Sequence, residues 1–330
     1  MRDVARKAGV SPMTVSRVIN DSPRVNDGTR RRVEAAIAEL GYVPNQLARG
    51  LIRRKTGALG VIVPDVANPF FTDVARGVED VTSEAGVLVM VCNSDGKADK
   101  DERYLTMMAE HGVLGVLHVP GGASAAAVRQ LSDRRIPIVL LDYRGSSRTQ
   151  CSVSVNDVAG GALAVEHLLG TGRRRIGFVG AGHAAHQVVD RLEGARSAMV
   201  SAGRSPKDLR LLPTPALTVE GGVAAAGARL ALPASRRPVA VACVNDLLAI
   251  GMLQGLMRAG VRVPDDVAIV GYDDILFAAA AAVPLTSIRQ PRNQLGRRAA
   301  ELLLDEASNP AHRHQRVVFE PELIVRASSL

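Results

Sequence analysis

The sequence predicts an α/β protein: an N-terminal three-helix head over residues 1–44, a short amphipathic stretch and linker over 45–57, and two doubly wound parallel-sheet lobes over 58–330. Three observations predict it. Basic charge is concentrated at the start, where the first 55 residues hold 12 Lys and Arg against 5 Asp and Glu, net +7 of the chain's +8. The other 275 residues carry 29 basic and 28 acidic groups and are close to neutral. The head also shows short amphipathic stretches bounded by capping residues and glycine, whereas past Thr56-Gly57 apolar runs alternate with helical stretches. A basic head on a neutral body points to a phosphate-bearing partner held by the head, because Lys and Arg that neutralise phosphates release counterions.

The elements of the head follow in order. Val4, Ala5 and Ala8 share one helical face, and Gly9 suits a tight turn. Ser11 reads as the N-cap of a second helix with Pro12 at its first position. In that helix Val15, Val18 and Ile19 face the first helix, so Met13, Ser16, Arg17 and Asn20 face outward. Two short helices joined by a tight turn, the second displaying Arg and small polar groups, form a helix-turn-helix. Arg17 is suited to a bidentate bond with guanine and Met13 to a thymine methyl. Asn26 caps a third helix with Val33, Ala36, Ile37 and Leu40 as its core face and Gly41 as its terminator. Pro44-Asn45 then opens a short amphipathic stretch, Gln46 to Arg54.

The motif D-V-A-x-x-A-G-V-S-x-x-T-V-S-R-V-I-N followed by A-E-L-G-Y-V-P-N-x-x-A-R-x-L resembles the lactose-repressor (LacI/GalR) family of bacterial transcription regulators. The resemblance implies that residues 11–19 enter the major groove, with Ser11, Pro12, Met13, Thr14, Ser16, Arg17 and Asn20 on the DNA side. It makes residues 45–53 a hinge helix in which Asn45, Ala48 and Leu51 meet DNA, Leu51 as an apolar wedge that unstacks a base step in the minor groove. Read from the residues alone, Leu51 and Ile52 are a small helix contact with the body. Relatives usually carry a few residues before the first helix, which places the expected start codon upstream of Met1 and the head's first turn as frayed. Gly50 inside the hinge helix costs about 1 kcal/mol of helicity, so the hinge is expected to fold only on DNA.

In the body the apolar runs are Leu59–Pro64, Val87–Cys92, Val113–Val119, Ile136–Leu141, Arg175–Gly180, Val239–Val244 and Val267–Tyr272. Such near-continuous runs between helices predict buried parallel strands, and a break near 145–165 divides them into two lobes. A ligand site belongs at the carboxyl ends of the strands, in the crevice between lobes. The body is also similar to periplasmic sugar-binding proteins of the ribose type. That resemblance implies a pocket lined by Asn68, Phe70, Phe71, Asp142, Arg191, Asn245, Asp273 and Gln290, where carboxylates, amides and an Arg bond hydroxyls while rings pack against the C–H face of a sugar. Only nine aromatic residues, 5 Phe and 4 Tyr, occur in the chain, which makes a Phe-Phe pair at a strand end harder to assign to general core. Without the resemblance, Asp157, Asp246 and Asp273 read as helix caps, Phe70 and Phe71 as core, and Arg191 as the partner of a surface carboxylate. Tyr143 stands where the ribose type has Arg, and Ala216-Leu217-Thr218 where a third ring is expected, so nucleosides, purines and larger sugars stay open beside pentoses.

Other signals read as structural. Gly177 to Gly182 runs G-x-x-G-x-G, not the dinucleotide order, and no P-loop Lys follows. The pairs His183/His186 and His312/His314 lack a neighbouring Cys cluster and read as exposed loop histidines, and no metal or cofactor is expected. Cys92, Cys151 and Cys243 are far apart and odd in number, with Cys92 and Cys243 in buried-strand runs, as suits reduced thiols. Ala278 to Ala282 reads as a packed helix start. With no leader, membrane span or nucleophile elbow in view, the expectation is a cytoplasmic, nucleoid-associated regulator and repressor. Its expected partners are palindromic double-stranded operator DNA, a sugar or nucleoside-like effector and, with no heptad tail, a second copy in a homodimer. Catalysis and a membrane partner are not expected. The rivals are a solute-binding protein with a basic extension and a nucleotide-cofactor oxidoreductase.

Overall fold

The computed structural model describes residues 1–19, 22–42, 57–121, 125–143, 145 and 149–330. The chain divides into two compact units, Met1–Thr56 and Gly57–Leu330. Positions 45–56 of the predicted hinge lie outside the described residues.

The first unit has helices α1 (Arg2–Ala8), α2 (Pro12–Ile19) and α3 (Asp27–Glu39). Gly9 ends α1 with φ +65°, a conformation in which a Cβ would be strained. Ser11 caps α2, its Oγ accepting from the Thr14 N–H at 3.1 Å. Asn26 caps α3 by accepting from the Thr29 N–H at 2.8 Å. Val4, Ala5, Ala8, Val15, Val18, Val33 and Ala36 form the buried centre. Leu40, expected in that core, is exposed instead. Gly41 turns left-handed at φ +55°, the Tyr42 N–H returns to the Ile37 carbonyl at 3.0 Å, and Tyr42 packs on the core beyond Leu40.

The second unit comprises β1 (Ala58–Val63), α4 (Pro69–Glu84), β2 (Leu88–Asn93), α5 (Ala98–His111), β3 (Val116–His118), α6 (Ala125–Asp133), β4 (Ile138–Leu141), β5 (Cys151–Val155), α7 (Asp157–Gly170), β6 (Ile176–Ala181), α8 (His186–Ser201), β7 (Arg210–Pro213), α9 (Val219–Ala231), β8 (Ala240–Cys243), α10 (Asp246–Arg258), β9 (Ala268–Asp273), α11 (Leu276–Ala279), β10 (Thr286–Arg289), α12 (Arg292–Ser308), β11 (Arg316–Phe319) and β12 (Glu322–Ile324). Lobe 1 orders its strands β2-β1-β3-β4-β5-β11 and lobe 2 orders them β7-β6-β8-β9-β10-β12. All pairings are parallel except β10 with β12. The strand order reverses beside β1 in lobe 1 and beside β6 in lobe 2, which puts a topological switch point in each lobe.

One break was expected between the lobes, and the chain crosses three times: after β5, after β10 and after β11. The later crossings run through Gln290-Pro291 and Glu320-Pro321, where proline ends strand pairing. The run at Val87–Cys92 is a strand, but not a buried one. β2 is the edge of its sheet, with Leu88 73% and Val91 46% exposed and Cys92 half-buried. Ala278 is buried, but the Ala-rich stretch ends a short helix instead of starting one.

Candidate functional site

Because the strands of each lobe are parallel, their carboxyl ends share one edge, and the residues just past those ends are gathered there. In lobe 2, Arg191 on α8 is the centre. Its Nε donates to Asp157 Oδ1 at 2.7 Å, its Nη1 donates to the Val244 carbonyl at 2.6 Å, and its guanidinium carbon lies 3.6 Å from the centre of the Tyr272 ring. The same Asp157 oxygen accepts from Tyr272 Oη at 2.9 Å. Asp273 Oδ1 lies 3.9 Å from Arg191 Nη1 and accepts from Gln290 Nε2 at 2.7 Å. Arg191 therefore pairs with buried carboxylates, not with a surface one.

Room for this arrangement comes from Gly160 on α7, where a Cβ would stand 2.1 Å from Tyr272 Oη. Asp273 holds φ +104°, an uncommon conformation for a residue with a side chain, and Arg292 donates to the carbonyls of Asp273 and Asp274. Asn245 caps α10 by accepting from the Leu248 N–H at 2.9 Å, and its amide donates to the Leu217 carbonyl at 2.9 Å. Asp246, a possible cap in the sequence, accepts instead from Ser287 Oγ at 2.7 Å and from the Ile275 N–H at 2.8 Å. Asp157 is likewise no cap, since Asn156 caps α7.

Lobe 1 supplies Asn68, Phe70, Phe71 and Asp142. Asn68 caps α4, accepting from the Phe70 N–H at 3.0 Å with Pro69 at the first helical position. Phe70 and Phe71 meet edge to face, 4.9 Å between centres, and belong to the buried core. Asp142 follows β4 at φ +51° and receives Gln187 Nε2 on its carboxylate at 2.8 Å and on its carbonyl at 2.7 Å. Gln187 lies in the first turn of α8, so these bonds join the lobes. The Tyr143 ring meets His186 edge to face at 4.5 Å beside them.

The electrostatics are those of a buried acidic cluster around one cation. Burial, then the neighbouring Asp157 charge, holds Asp142 well above the usual carboxylate range. Burial pushes Asp273 up to about 6 against the opposing pull of Arg191 and the Gln290 bond. Burial also works against the Arg191 charge, but Asp157, Tyr272, Asp273 and Asp142 outweigh it and keep the guanidinium protonated. Asp142 Oδ1 and Gln290 Oε1 are buried acceptors without a hydrogen-bond partner in the protein. Such acceptors are costly unless a donor reaches them. Hydroxyl groups of a neutral ligand are suitable donors.

The strand ends thus bring Asp142, Arg191, Asp273 and Gln290 into one interacting group. Asn68, Phe70, Phe71 and Asn245 stand at the same strand ends as capping and core residues. Asp157, Tyr272, Gln187 and Arg292 are members that the sequence reading passed over. Tyr272 ended a strand-like run and Asp157 read as a helix cap, so both looked structural.

In the first unit Ser11, Pro12, Met13 and Arg17 are exposed along α2, Thr14 and Ser16 are half-buried, and Val15 and Val18 face the core. Thr14 Oγ1 lies 2.9 Å from Ser11 Oγ, so it reinforces the cap. Asn20, Asn45, Ala48 and Leu51 lie outside the described residues.

Comparison with known proteins gives the same division. Residues 1–45 match the family model for bacterial regulatory proteins of the lacI family, and residues 165–329 match a periplasmic binding protein-like domain. The HTH-type transcriptional repressor PurR of Photobacterium profundum is 36% identical, covering 99% of this chain and 98% of that protein. The ribose operon repressor of Escherichia coli is 35% identical, covering 100% of this chain and 99% of that protein. Among solved structures, a LacI family regulator from Enterococcus faecium with bound ribose superposes with a TM-score of 0.77 at 32% identity, over 82% of this chain and 98% of that one. The lac repressor dimer bound to operator and an anti-inducer superposes with a TM-score of 0.85 at 25% identity, over 99% of this chain and 98% of that one. A helix-turn-helix head joined to a two-lobed binding body, matched end to end by named repressors, places the chain in the lacI family of bacterial regulatory proteins, as a DNA-binding transcription regulator and not an enzyme.

Proposed function

We propose that the protein represses transcription as a homodimer on a palindromic operator and that a neutral polyhydroxylated effector, a sugar or nucleoside, sets its operator affinity from the inter-lobe cleft. The observation that carries the effector reading is the pair of buried, unpartnered acceptors, Asp142 Oδ1 and Gln290 Oε1, within a cluster holding more carboxylates than cations. A hydroxyl both donates and accepts, so it suits Gln290 Oε1 and either protonation state of Asp142, whereas a phosphate would be set among the cluster's carboxylates. Two relatives are named for PurR and for a ribose operon, and one structural neighbour holds ribose. The ribose names agree with a small neutral ligand built on a pentose.

Two heads are needed because each recognition helix reads one half-site. Support for pairing through the body comes from exposed apolar side chains on the β2 edge, Leu88 and Val91, and on α11, Leu276 and Phe277. Among the described residues no helix is long and apolar enough to cross a membrane. The proposed setting is the cytoplasm, on nucleoid DNA. On operator the hinge, with Asn45, Ala48 and the Leu51 wedge, is proposed to join Met13 and Arg17 in contact.

Calorimetric titration of the purified protein with pentoses, hexoses and nucleosides, each beside its phosphate ester, tests the effector reading. One neutral compound is expected to bind, and its ester at least tenfold more weakly. Binding of esters alone, or of nothing in the panel, would overturn it.

A further inference from the structure

One of the two histidine pairs set aside in the sequence, His312 and His314, is not isolated once the chain is folded. The first residue of β5, Cys151, is buried, and the last turn of α12 brings Glu306 to it. The connection from α12 to β11 carries His312 and His314 over the same point. His312 was expected on an exposed loop, yet its side chain is only 5% exposed. One donor atom from each of Cys151, Glu306, His312 and His314 lies within 4.8 Å of all the others.

Four of the six donor separations lie close to those set by coordination of a small cation, and the other two lie within 4.8 Å. Bonds of about 2.0–2.3 Å at tetrahedral angles put ligand atoms about 3.3–3.7 Å apart. Here Cys151 Sγ is 3.2 Å from His312 Nε2 and 3.9 Å from His314 Nδ1. Glu306 Oε2 is 3.8 Å from each of those nitrogens. Asp305 Oδ2 lies 2.6 Å from His312 Nδ1, so that nitrogen carries the proton and Nε2 turns its lone pair to the centre, the usual outer support of a metal-bound imidazole. Glu306 Oε2 is buried and accepts no hydrogen bond. The Gln315 N–H points at Cys151 Sγ at 3.2 Å.

We propose that Cys151, Glu306, His312 and His314 form a tetrahedral site for a zinc-class divalent cation in lobe 1. Imidazole and thiolate donors favour such an ion over magnesium or calcium, which require oxygen shells. As the sulfur–metal bond forms, the thiol proton leaves to solvent, and the thiolate and carboxylate then neutralise the dication. The site is separate from the effector cleft, because it sits where β5 and β11 begin and the cleft lies where the strands end. It fastens β11, an edge strand returning from a distant part of the chain, to β5. Both strands run on into lobe crossings, where Asn156 Nδ2 bonds the Glu320 carboxylate at 3.1 Å.

The test uses full-length protein stripped with a chelator and titrated with Co2+. One equivalent is expected to give a sulfur-to-cobalt charge-transfer band with tetrahedral d–d bands, and Zn2+ should displace it. Cys151→Ser is expected to remove the charge-transfer band, and Asp305→Asn to weaken binding about 10–100-fold. His314→Gln, at an exposed position, should also abolish the tetrahedral spectrum, and circular dichroism of each variant reports folding, so a misfolded Cys151 variant does not block the test. A flat titration of folded wild type, or an octahedral spectrum that survives in Cys151→Ser and His314→Gln, overturns the assignment.

Discussion

Replacing Arg191 by Met removes the one cation that Asp157 and Asp273 share while keeping much of the side chain's volume. The guanidinium is buried, with a 2.7 Å bond to Asp157, a 2.6 Å bond to the Val244 carbonyl and the Tyr272 ring beneath it. Removing one partner of a buried pair leaves the other charge uncompensated, which costs about 3–5 kcal/mol. The lost ring contact adds to this by up to about 2 kcal/mol. At about 2–4 °C per kcal/mol, the midpoint of thermal unfolding should fall by roughly 6–28 °C. The loss should also depend on pH. Without Arg191 the carboxyls of the cluster are held still further above their unfolded values, so the penalty is full at high pH, where they must be charged, and shrinks as pH falls and they take up protons. Urea unfolding followed by circular dichroism at pH 8 and pH 5 measures both effects. A loss below about 1 kcal/mol, or one equal at the two pH values, would refute the reading of Arg191 as the cluster's counter-charge.

Arg17→Ala should cost about 1–3 kcal/mol on the operator and relax base preference there, while binding to random DNA changes little; equal losses on both would remove Arg17 as a base reader. Gly160→Ala puts a Cβ where Tyr272 Oη lies 2.1 Å away, so the ring must leave Asp157, at about 1–3 kcal/mol of stability and with weakened effector binding; an unchanged melting curve and titration would contradict this. Asp273 is raised to about 6 in the folded chain against 3.8 unfolded, so its contribution is present below pH about 4 and is lost as pH rises through about 6. Relative to wild type, Asp273→Asn should therefore gain about 3 kcal/mol between pH 4 and pH 7, and parallel stability curves would count against a buried, uphill-titrating Asp273.

The central strands were legible because a strand covered on both faces must be apolar along its whole length. That holds for Val61–Val63, Val241–Cys243 and Ile269–Val270, all buried. The run at Val87–Cys92 looked the same, yet β2 is an edge, and composition does not distinguish a face that is covered by the rest of its own lobe from one left open. Cys151–Val155, Arg210–Pro213 and Thr286–Arg289 were missed because they are short and carry Ser, Thr or Arg. β11 and β12 exist as sheet strands only because the chain returns to both lobes. In the site, positions at strand ends could be named in advance, but partners could not: Arg191 meets an aspartate 34 residues earlier in the chain, and Cys151 meets His312 161 residues away. Spacing along the chain carries local pairings, and such contacts are not local.

Effector control of operator binding requires the two ligands to be coupled, and coupling is reciprocal. Titrating the bound neutral effector into protein alone and into protein saturated with operator DNA is therefore the decisive comparison. Affinities that differ between the two titrations, by the same factor by which effector changes operator affinity, are the predicted result. Identical effector affinities with and without operator would contradict control of the head by the cleft.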